Sequence, residues 1–523
     1  MGTRLECMAR LPQCDRPKIE RSKPAFRLIR VSTETRSSRW TWLALWVVAL
    51  GTRLPAVFLL PTPEQDGYSY AELIAQLSAK LSAGQFRVVD LYGFWLPLFQ
   101  FSAAALNLWI DNPLFAGKIV SSLCGAVSCV LVFAITKKLT ESLTLAWIAF
   151  ALVATNPFHV LYSAASMTDV PFGCLVLASL WFLLRDRWFL AVIFAALAGC
   201  VRVEAWAFVV LLPLLQLARQ RRVSVSLSIL LLPPLTWLFI CWLATGDPFS
   251  FFAERARYHA DYLDFFPTRH GFVFTDVAQD AAYFLLGANR VVVLTIVAAG
   301  IMSILRPTRA RFATVPIVLA YAAALFAFFV LAYVTKRQPV LLPRYGLIFF
   351  TLGLPLLMWL IQVGLTRYPR SWAVKVIATI VIALCLRETN GQITSVSKVL
   401  ADFHAHQDVA GTLSTIFNQS SDRSRRCFSD DVAVRVLSGL SADCFVRSTT
   451  APASAWQDRA AFESYLEQKH VGYVVFTRVE ASLPAKHFLE LGGTERNIGQ
   501  FQLVTAAFSS FAPDVRLYRW RYE

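Results

Sequence analysis

The sequence predicts a polytopic α-helical membrane protein of about eleven spans, followed by a C-terminal extracytoplasmic α/β domain. Three observations predict this class. Apolar runs of roughly 18 residues or more recur along the chain, and its mean hydropathy is +0.52. The basic residues stand in short clusters between those runs rather than in one patch. From about residue 389 polar and charged residues become more frequent, and short strand-like runs alternate with helical ones. The formal charge of +16 would otherwise invite nucleic acid, but charge dispersed between spans follows the positive-inside pattern, so no nucleic-acid partner is expected. The ten cysteines form no CxxC pair and no metal-ligand spacing.

Residues 1–39 carry scattered Arg and Lys with no strong period and read as a basic cytoplasmic arm. The run 40–60 is too long for a signal-peptide core and lacks a small-residue cleavage site, so it reads as an anchor helix. The stretch 61–100 opens with Pro61 and Pro63 and places Glu64 and Asp66 just past that helix. Ser69 and Glu72 have the spacing of a capping box. The helix they announce carries Leu73, Ile74, Leu77 and Leu81 on one side and Glu72, Gln76 and Lys80 on the other, with Gly84 as its stop. Such a helix is expected to lie on the bilayer surface.

The segment 94–110 is read as a surface or re-entrant helix. On that assumption Lys137-Lys138, Arg185/Arg187, Arg219/Arg221/Arg222, Arg306/Arg309/Arg311 and Arg367/Arg370 all fall on the inner side. The spans are then about 40–60, 114–136, 142–161, 170–184, 188–201, 203–218, 224–244, 284–305, 313–334, 345–363 and 372–387. This gives a transmembrane domain 40–388, with a first outer loop 61–113, and an outer domain 389–523. In the outer domain 426–429, 471–477 and 515–521 read as strands and 455–469 as a helix. Its two cysteines, Cys427 and Cys444, are expected to pair in an oxidising outer compartment.

With this topology the chemistry-bearing residues gather on one side. Asp66 and Glu64 stand in the first outer loop; a solvated loop aspartate is the plainer reading. After the third span come His159, Tyr162, Ser163 and Asp169, with Asp169 also placed to cap the next helix. Arg202 and Glu204 sit between two apolar stretches, where ionisable residues are costly and serve either a site or each other. The loop 245–283 mixes Arg255, Arg257, His259, Arg269 and His270 with Tyr258, Tyr262, Phe265 and Phe266, a composition that suits a membrane surface, a phosphate or a sugar. Lys336 and Arg337 lie outward against the general trend. Arg344 and Tyr345 open a late span, where an arginine can also simply snorkel to the headgroups. One acid group, supporting carboxylates and several guanidinium groups at a membrane surface are what transfer of a sugar from a lipid phosphate to a hydroxyl requires. A carboxylate takes the hydroxyl proton, and guanidinium groups hold the departing phosphate.

The order of these motifs, from PEQDGYSYAE through LPLF and NPFHVLYSAASMTD to AGCVRVEAW and PRYGLIFF, resembles the polytopic GT-C glycosyltransferases. It is most similar to the group that uses polyprenyl-phosphate sugars and includes protein O-mannosyltransferases and the aminoarabinose transferase of lipid A. The resemblance implies that Asp66 is the first-loop catalytic aspartate, supported by Glu64, and that Asp169 is the acidic residue of the second outer loop. It implies that Arg202 is the basic position between the middle spans, and that Arg344 and Tyr345 face the donor phosphate. Glu204, Tyr258 and His259 join them as candidate substrate-binding residues. Two departures stand out: Glu64-Gln65-Asp66 replaces an adjacent acidic pair, and GFWLPLF lacks the basic residue of the family's HPPL or KPPL stretch.

The implied activity is transfer of a hexosyl or pentosyl group, with inversion, from a polyprenyl-phosphate donor to a lipid, glycan or protein acceptor. An oligosaccharide ligase or polymerase with a lipid diphosphate donor, or a lipid-linked sugar flippase, are the competing expectations. No cofactor is firmly implied, and a divalent metal is left open. The chain is expected in the plasma (inner) membrane with its N-terminus cytoplasmic, or in the endoplasmic reticulum if the source is eukaryotic.

Overall fold

The computed structural model describes residues 39–265, 273–305, 314–335, 341–419, 426–477, 497–507 and 515–521. The chain opens with α1 (Arg39–Leu59), α2 (Gln65–Ser82), α3 (Leu98–Ile110), α4 (Pro113–Thr140), α5 (Leu143–Ala154) and α6 (Pro157–Ser163). There follow α7 (Asp169–Leu184), α8 (Trp188–Gly199), α9 (Phe208–Gln220), α10 (Leu232–Thr245), α11 (Ser250–Phe265), α12 (Phe274–Ala288), α13 (Arg290–Leu305), α14 (Val315–Val334) and α15 (Pro343–Arg367). A 48-residue helix, α16 (Trp372–Gln419), then runs unbroken across the composition change near 389.

Among the described residues six helices are long and apolar enough to cross a membrane, or up to eight when two bent pairs each count as one span, against the eleven expected. The difference has two causes. Several expected spans are short: at 1.5 Å per residue α7 and α8 are about 24 and 18 Å long, below the roughly 30 Å of a bilayer core. By the same rise α3 is about 20 Å long, so length alone does not set it apart from them. Other expected spans are broken. The one drawn at 142–161 bends by 61° between α5 and α6. There Pro157 cannot continue a helical ladder, and the Asn156 side chain caps α6 by accepting from His159 N at 2.8 Å. The span drawn at 284–305 turns by 90° between α12 and α13, where Asn289 donates to Cys385 O at 3.2 Å.

The bundle is organised around α15 and α4. About 83% of the apolar window of α15 is buried, against 28% for α1, so α15 is the central helix and α1 a peripheral one. Small residues let α15 come close to its neighbour. A Cβ at Gly287 would fall on Pro343 O, and one at Gly346 would fall on Ala288 N, so α12 and the start of α15 meet backbone to backbone.

The C-terminal domain is a six-stranded mixed sheet in the order β2-β1-β3-β6-β5-β4 among the described residues. Its elements are β1 (Arg426–Phe428), α17 (Val432–Leu437), β2 (Phe445–Val446), α18 (Arg459–Gln468), β3 (Val471–Thr477), β4 (Asn497–Ile498), β5 (Phe501–Ala507) and β6 (Val515–Trp520). β3 is buried along its whole length because both faces are covered. Val474 and Phe476 pack with Phe462 and Leu466 of α18, while Tyr473 and Val475 pack with Val409 and Leu413 of α16, as a period of two dictates. The expected disulfide is corrected: Cys427 and Cys444 are free thiols. Cys427 pairs with Phe445 across the parallel ladder, so Cys444, one residue earlier, points off the face on which Cys427 is buried.

Candidate active site

The site is built where the start of α2, the α6–α7 loop, the α8–α9 connection and the start of α15 converge. The chain leaving α1 is held by Lys118 of α4, whose Nζ donates to Leu60 O at 2.7 Å and Val57 O at 3.2 Å, carbonyls that the helix end leaves unpaired. α2 begins at Gln65, earlier than the capping-box spacing implies. Its N-cap is Glu64, without a side-chain cap bond, and Glu72 is drawn instead to Arg435 and Arg447 of the C-terminal domain. Tertiary ion pairing has overridden a local cap. The predicted stop is realised: Gly84 adopts φ +65°, and Gln85 N and Gly84 N close onto Lys80 O and Leu81 O.

Glu64 and Asp66 both turn to one guanidinium. Arg344, second residue of α15, places Nη1 at 2.5 Å from Glu64 Oε2 and Nη2 at 2.6 Å from Asp66 Oδ2. Tyr162 of α6 donates to Glu64 Oε1 at 2.6 Å. The Arg344 side chain is 8% exposed, whereas Asp66 keeps 34% and Glu64 24%, so the pocket opens on the carboxylate side. Burial pushes the Glu64 carboxyl up to about 7; Arg344 opposes this, and the neighbouring Asp66 adds to it.

A second arginine stands beside the first. Arg202 bonds Asp169 Oδ1 at 2.9 Å and forks onto Glu204 at 2.6 and 3.2 Å. The Tyr345 ring lies 5.1 Å from the Arg202 guanidinium and 5.2 Å from that of Arg344, close enough for cation–π attraction to both. Asp169 heads α7 without capping it; its charge is spent on Arg202, and its Oδ2 is buried without a hydrogen-bond partner.

The structure thus brings together Asp66, Glu64, Asp169, Arg202, Glu204, Arg344 and Tyr345. The side chains of Tyr258 and His259 on α11, together with Arg269, His270, Lys336 and Arg337, lie outside the described residues. His159 is drawn elsewhere, buried against Arg53 at 2.9 Å rather than presented at a surface.

Arg255 was part of the mixed aromatic and basic loop but carried no specific role. It completes the site. Its guanidinium lies 4.8 Å from the ring of Phe251 and 5.2 Å from that of Phe94, within electrostatic reach of Glu204, Arg202 and Tyr345. Among the described residues it forms no ion pair, and its Nε is buried without an acceptor. Phe94 belongs to GFWLPLF, the stretch whose expected basic residue is missing.

No three His, Cys, Asp or Glu among the described residues converge as a metal-holding group. Glu64, Asp66, Asp169 and Glu204 each give at least one oxygen to Arg344 or Arg202.

No family model and no curated protein matches the chain. Solved structures do. The structure of ArnT from Cupriavidus metallidurans bound to undecaprenyl phosphate is 12% identical, covers 92% of this chain and 98% of its own, and superposes with a TM-score of 0.54. The apo form of that protein gives 0.53 over the same coverage. The archaeal oligosaccharyltransferase AglB from Archaeoglobus fulgidus, in complex with an inhibitory peptide and a dolichol-phosphate, is 12% identical with a TM-score of 0.50, covering 83% of this chain and 69% of its own. The chain therefore shares the overall fold of these proteins.

Proposed function

We propose that this integral membrane protein is a glycosyltransferase that moves a sugar from a polyprenyl-phosphate-linked donor to an acceptor hydroxyl at the outer face of the membrane. The observation that carries this reading is Asp66, a partly exposed carboxylate oriented through one oxygen by the buried Arg344. Its second oxygen takes the acceptor proton as the acceptor oxygen attacks the anomeric carbon. The bond from that carbon to the phosphate oxygen breaks, its electrons leave with the lipid phosphate, and the configuration inverts. Glu64, braced by Tyr162, orients Arg344 and Asp66.

Charge accounting supports a position for the donor phosphate. Arg344 and Arg202 each face two carboxylates, whereas Arg255 forms no ion pair among the described residues and has Glu204 only within electrostatic reach. Arg255 is the natural grip for a leaving phosphate, with Arg344, Arg202 and Tyr345 behind it. That ArnT was solved with undecaprenyl phosphate and AglB with dolichol-phosphate supports a lipid-phosphate donor. Among the described residues of the site one guanidinium stands without an ion pair, which favours a monophosphate over the diphosphate of the competing ligase reading. The membrane domain 40–388 would hold the lipid, and the domain 389–523 would stand on the outer side with the acceptor.

The test is the purified full chain in lipid vesicles with defined polyprenyl-phosphate sugars and candidate acceptors. Transfer with release of free polyprenyl phosphate is the expected result. Translocation of the lipid without transfer would make the protein a flippase.

A further inference from the structure

Helix α2 has two working faces. Tyr70, Ile74 and Leu77 pack into the membrane bundle, whereas Gln65, Tyr68 and Glu72, spaced by three and four residues, meet the outer domain. Gln65, the residue between Glu64 and Asp66, makes the most specific of these contacts. Its Oε1 accepts from Ala433 N at 3.1 Å, and its Nε2 donates to Asp431 Oδ2 at 3.2 Å. Nε2 also lies 3.3 Å from His406 Nε2. Asp431 is itself immobilised, accepting from Val434 N at 2.8 Å as the cap of α17 and pairing with His406 at 3.1 Å. One turn on, Tyr68 stacks on Phe403 with ring centroids 5.9 Å apart. Beyond it Glu72 receives Arg435 at 2.8 Å and Arg447 at 3.1 Å.

These contacts bear on the carboxylates because the first turn of α2 has no side-chain cap of its own. Gly67 also presses that turn onto its surroundings, since a Cβ there would fall on Thr62 Cγ2. Side chains of adjacent residues in a first helical turn project in different directions. Arg344 can therefore hold Glu64 and Asp66 from one side while Asp431 and Ala433 hold Gln65 from another.

We propose that Gln65 is a positioning residue through which the outer domain sets the orientation of Glu64 and Asp66. The outer domain then forms part of the catalytic frame, and a movement of α17 would be felt at the reacting carboxylate. This rests on the reading of Asp66 as the base.

The test uses the full-length protein as wild type, Gln65→Met, Gln65→Glu and Gln65→Glu/Asp431→Asn. Gln65→Met keeps the length and removes both hydrogen bonds. Gln65→Glu keeps an acceptor for Ala433 N but sets a carboxylate against Asp431, and Asp431→Asn returns a donor there while preserving a good helix cap. Hydrogen exchange of residues 67–71 should quicken about tenfold in Gln65→Met and Gln65→Glu, the scale of one lost hydrogen bond. Turnover should fall about tenfold with donor KM within twofold, and the double variant should recover both readouts. Unchanged exchange in Gln65→Met, faster exchange with unchanged turnover, or no recovery in the double variant would each overturn the proposal. Absence of transfer in the wild type would instead overturn the proposed function, and exchange alone would then decide whether Gln65 holds α2.

Discussion

Two buried arginines, Arg53 and Arg344, are satisfied in opposite ways. Arg53 of α1 is 0% exposed. It donates to Ala49 O at 2.9 Å, Thr52 Oγ1 at 2.7 Å and Cys129 Sγ at 3.0 Å, and lies 2.9 Å from His159 Nδ1. These partners are uncharged carbonyl, hydroxyl, thiol and imidazole groups from α1, α4 and α6, closed off from any opening. Arg344 instead meets two carboxylates that keep part of their surface exposed. An ionisable residue in a membrane domain is a functional candidate by default. The contrast adds a condition: the charge must face groups that can change protonation or bind a ligand. Arg53 ties helices together, whereas Arg344 orders the carboxylate oxygens proposed to react.

Removing the reactive oxygen should have the largest effect. Asp66→Asn keeps a partner for Arg344 but cannot take a proton. Its turnover should fall on the order of 10²–10⁴, with an unchanged unfolding midpoint. Turnover within a few-fold of wild type, alongside a dead Asp169→Asn, would place the base in the wrong loop.

Next comes the direct comparison of the two arginines. Arg344→Lys retains charge and loses the fork that spans Glu64 and Asp66. Donor use should weaken by about 1–3 kcal/mol, read as kcat/KM. Arg53→Lys should leave donor KM unchanged and lower stability by about 1–3 kcal/mol, because several neutral acceptors lose their donor. If the two variants exchanged phenotypes, the distinction between structural and functional arginine would be reversed.

A smaller effect is expected at Arg255. Arg255→Ala should raise donor KM about tenfold, the scale of one charged hydrogen bond, with kcat less affected. An unchanged KM would move the phosphate grip to another residue.

Much of the site was legible because its residues stand at helix ends. Asp66, Asp169, Arg202 and Arg344 each border an apolar run, where a charged side chain must find a surface or a partner. Which partner it finds was not legible, because the pairs join residues far apart in the chain: 278 positions separate Asp66 from Arg344 and 368 separate Gln65 from Ala433. In the outer domain β3 was read to the residue because its apolar run is continuous, whereas β2 and β4 are two-residue pairings with no pattern to detect. The break at Asn156-Pro157 carried a local signal, a proline within an apolar run, that hydropathy averaging concealed. The Ser69–Glu72 cap failed for the opposite reason: a sound local signal lost to arginines on another domain.

The finest test of the comparison is pH, since a carboxylate that faces Arg344 can titrate, whereas the described partners of Arg53 include no carboxylate. The Glu64 carboxyl is raised by burial from its ordinary 4.5 to about 7, with Arg344 opposing and Asp66 adding. The folded state therefore binds this proton more tightly than the unfolded chain does. The stability that the proton contributes is fully present below about pH 4.5 and is lost as pH rises through about 7. In activity the direction is reversed. Below about 7 Glu64 is neutral, so Arg344 draws on Asp66 alone and weakens it as a base. Above that pH Glu64 takes its share of Arg344, and turnover should rise. Glu64→Gln fixes the neutral state, so its turnover should match the low-pH plateau of wild type, a few-fold below the wild-type rate at higher pH, with no inflection near 7. Its thermal midpoint should also lack the decline that wild type shows from pH 5 to pH 8. The two measurements are a pH–turnover profile and a pair of melting curves for each protein. An inflection near 7 that persists in Glu64→Gln would assign the titration to another group and leave Glu64 as a purely structural partner of Arg344.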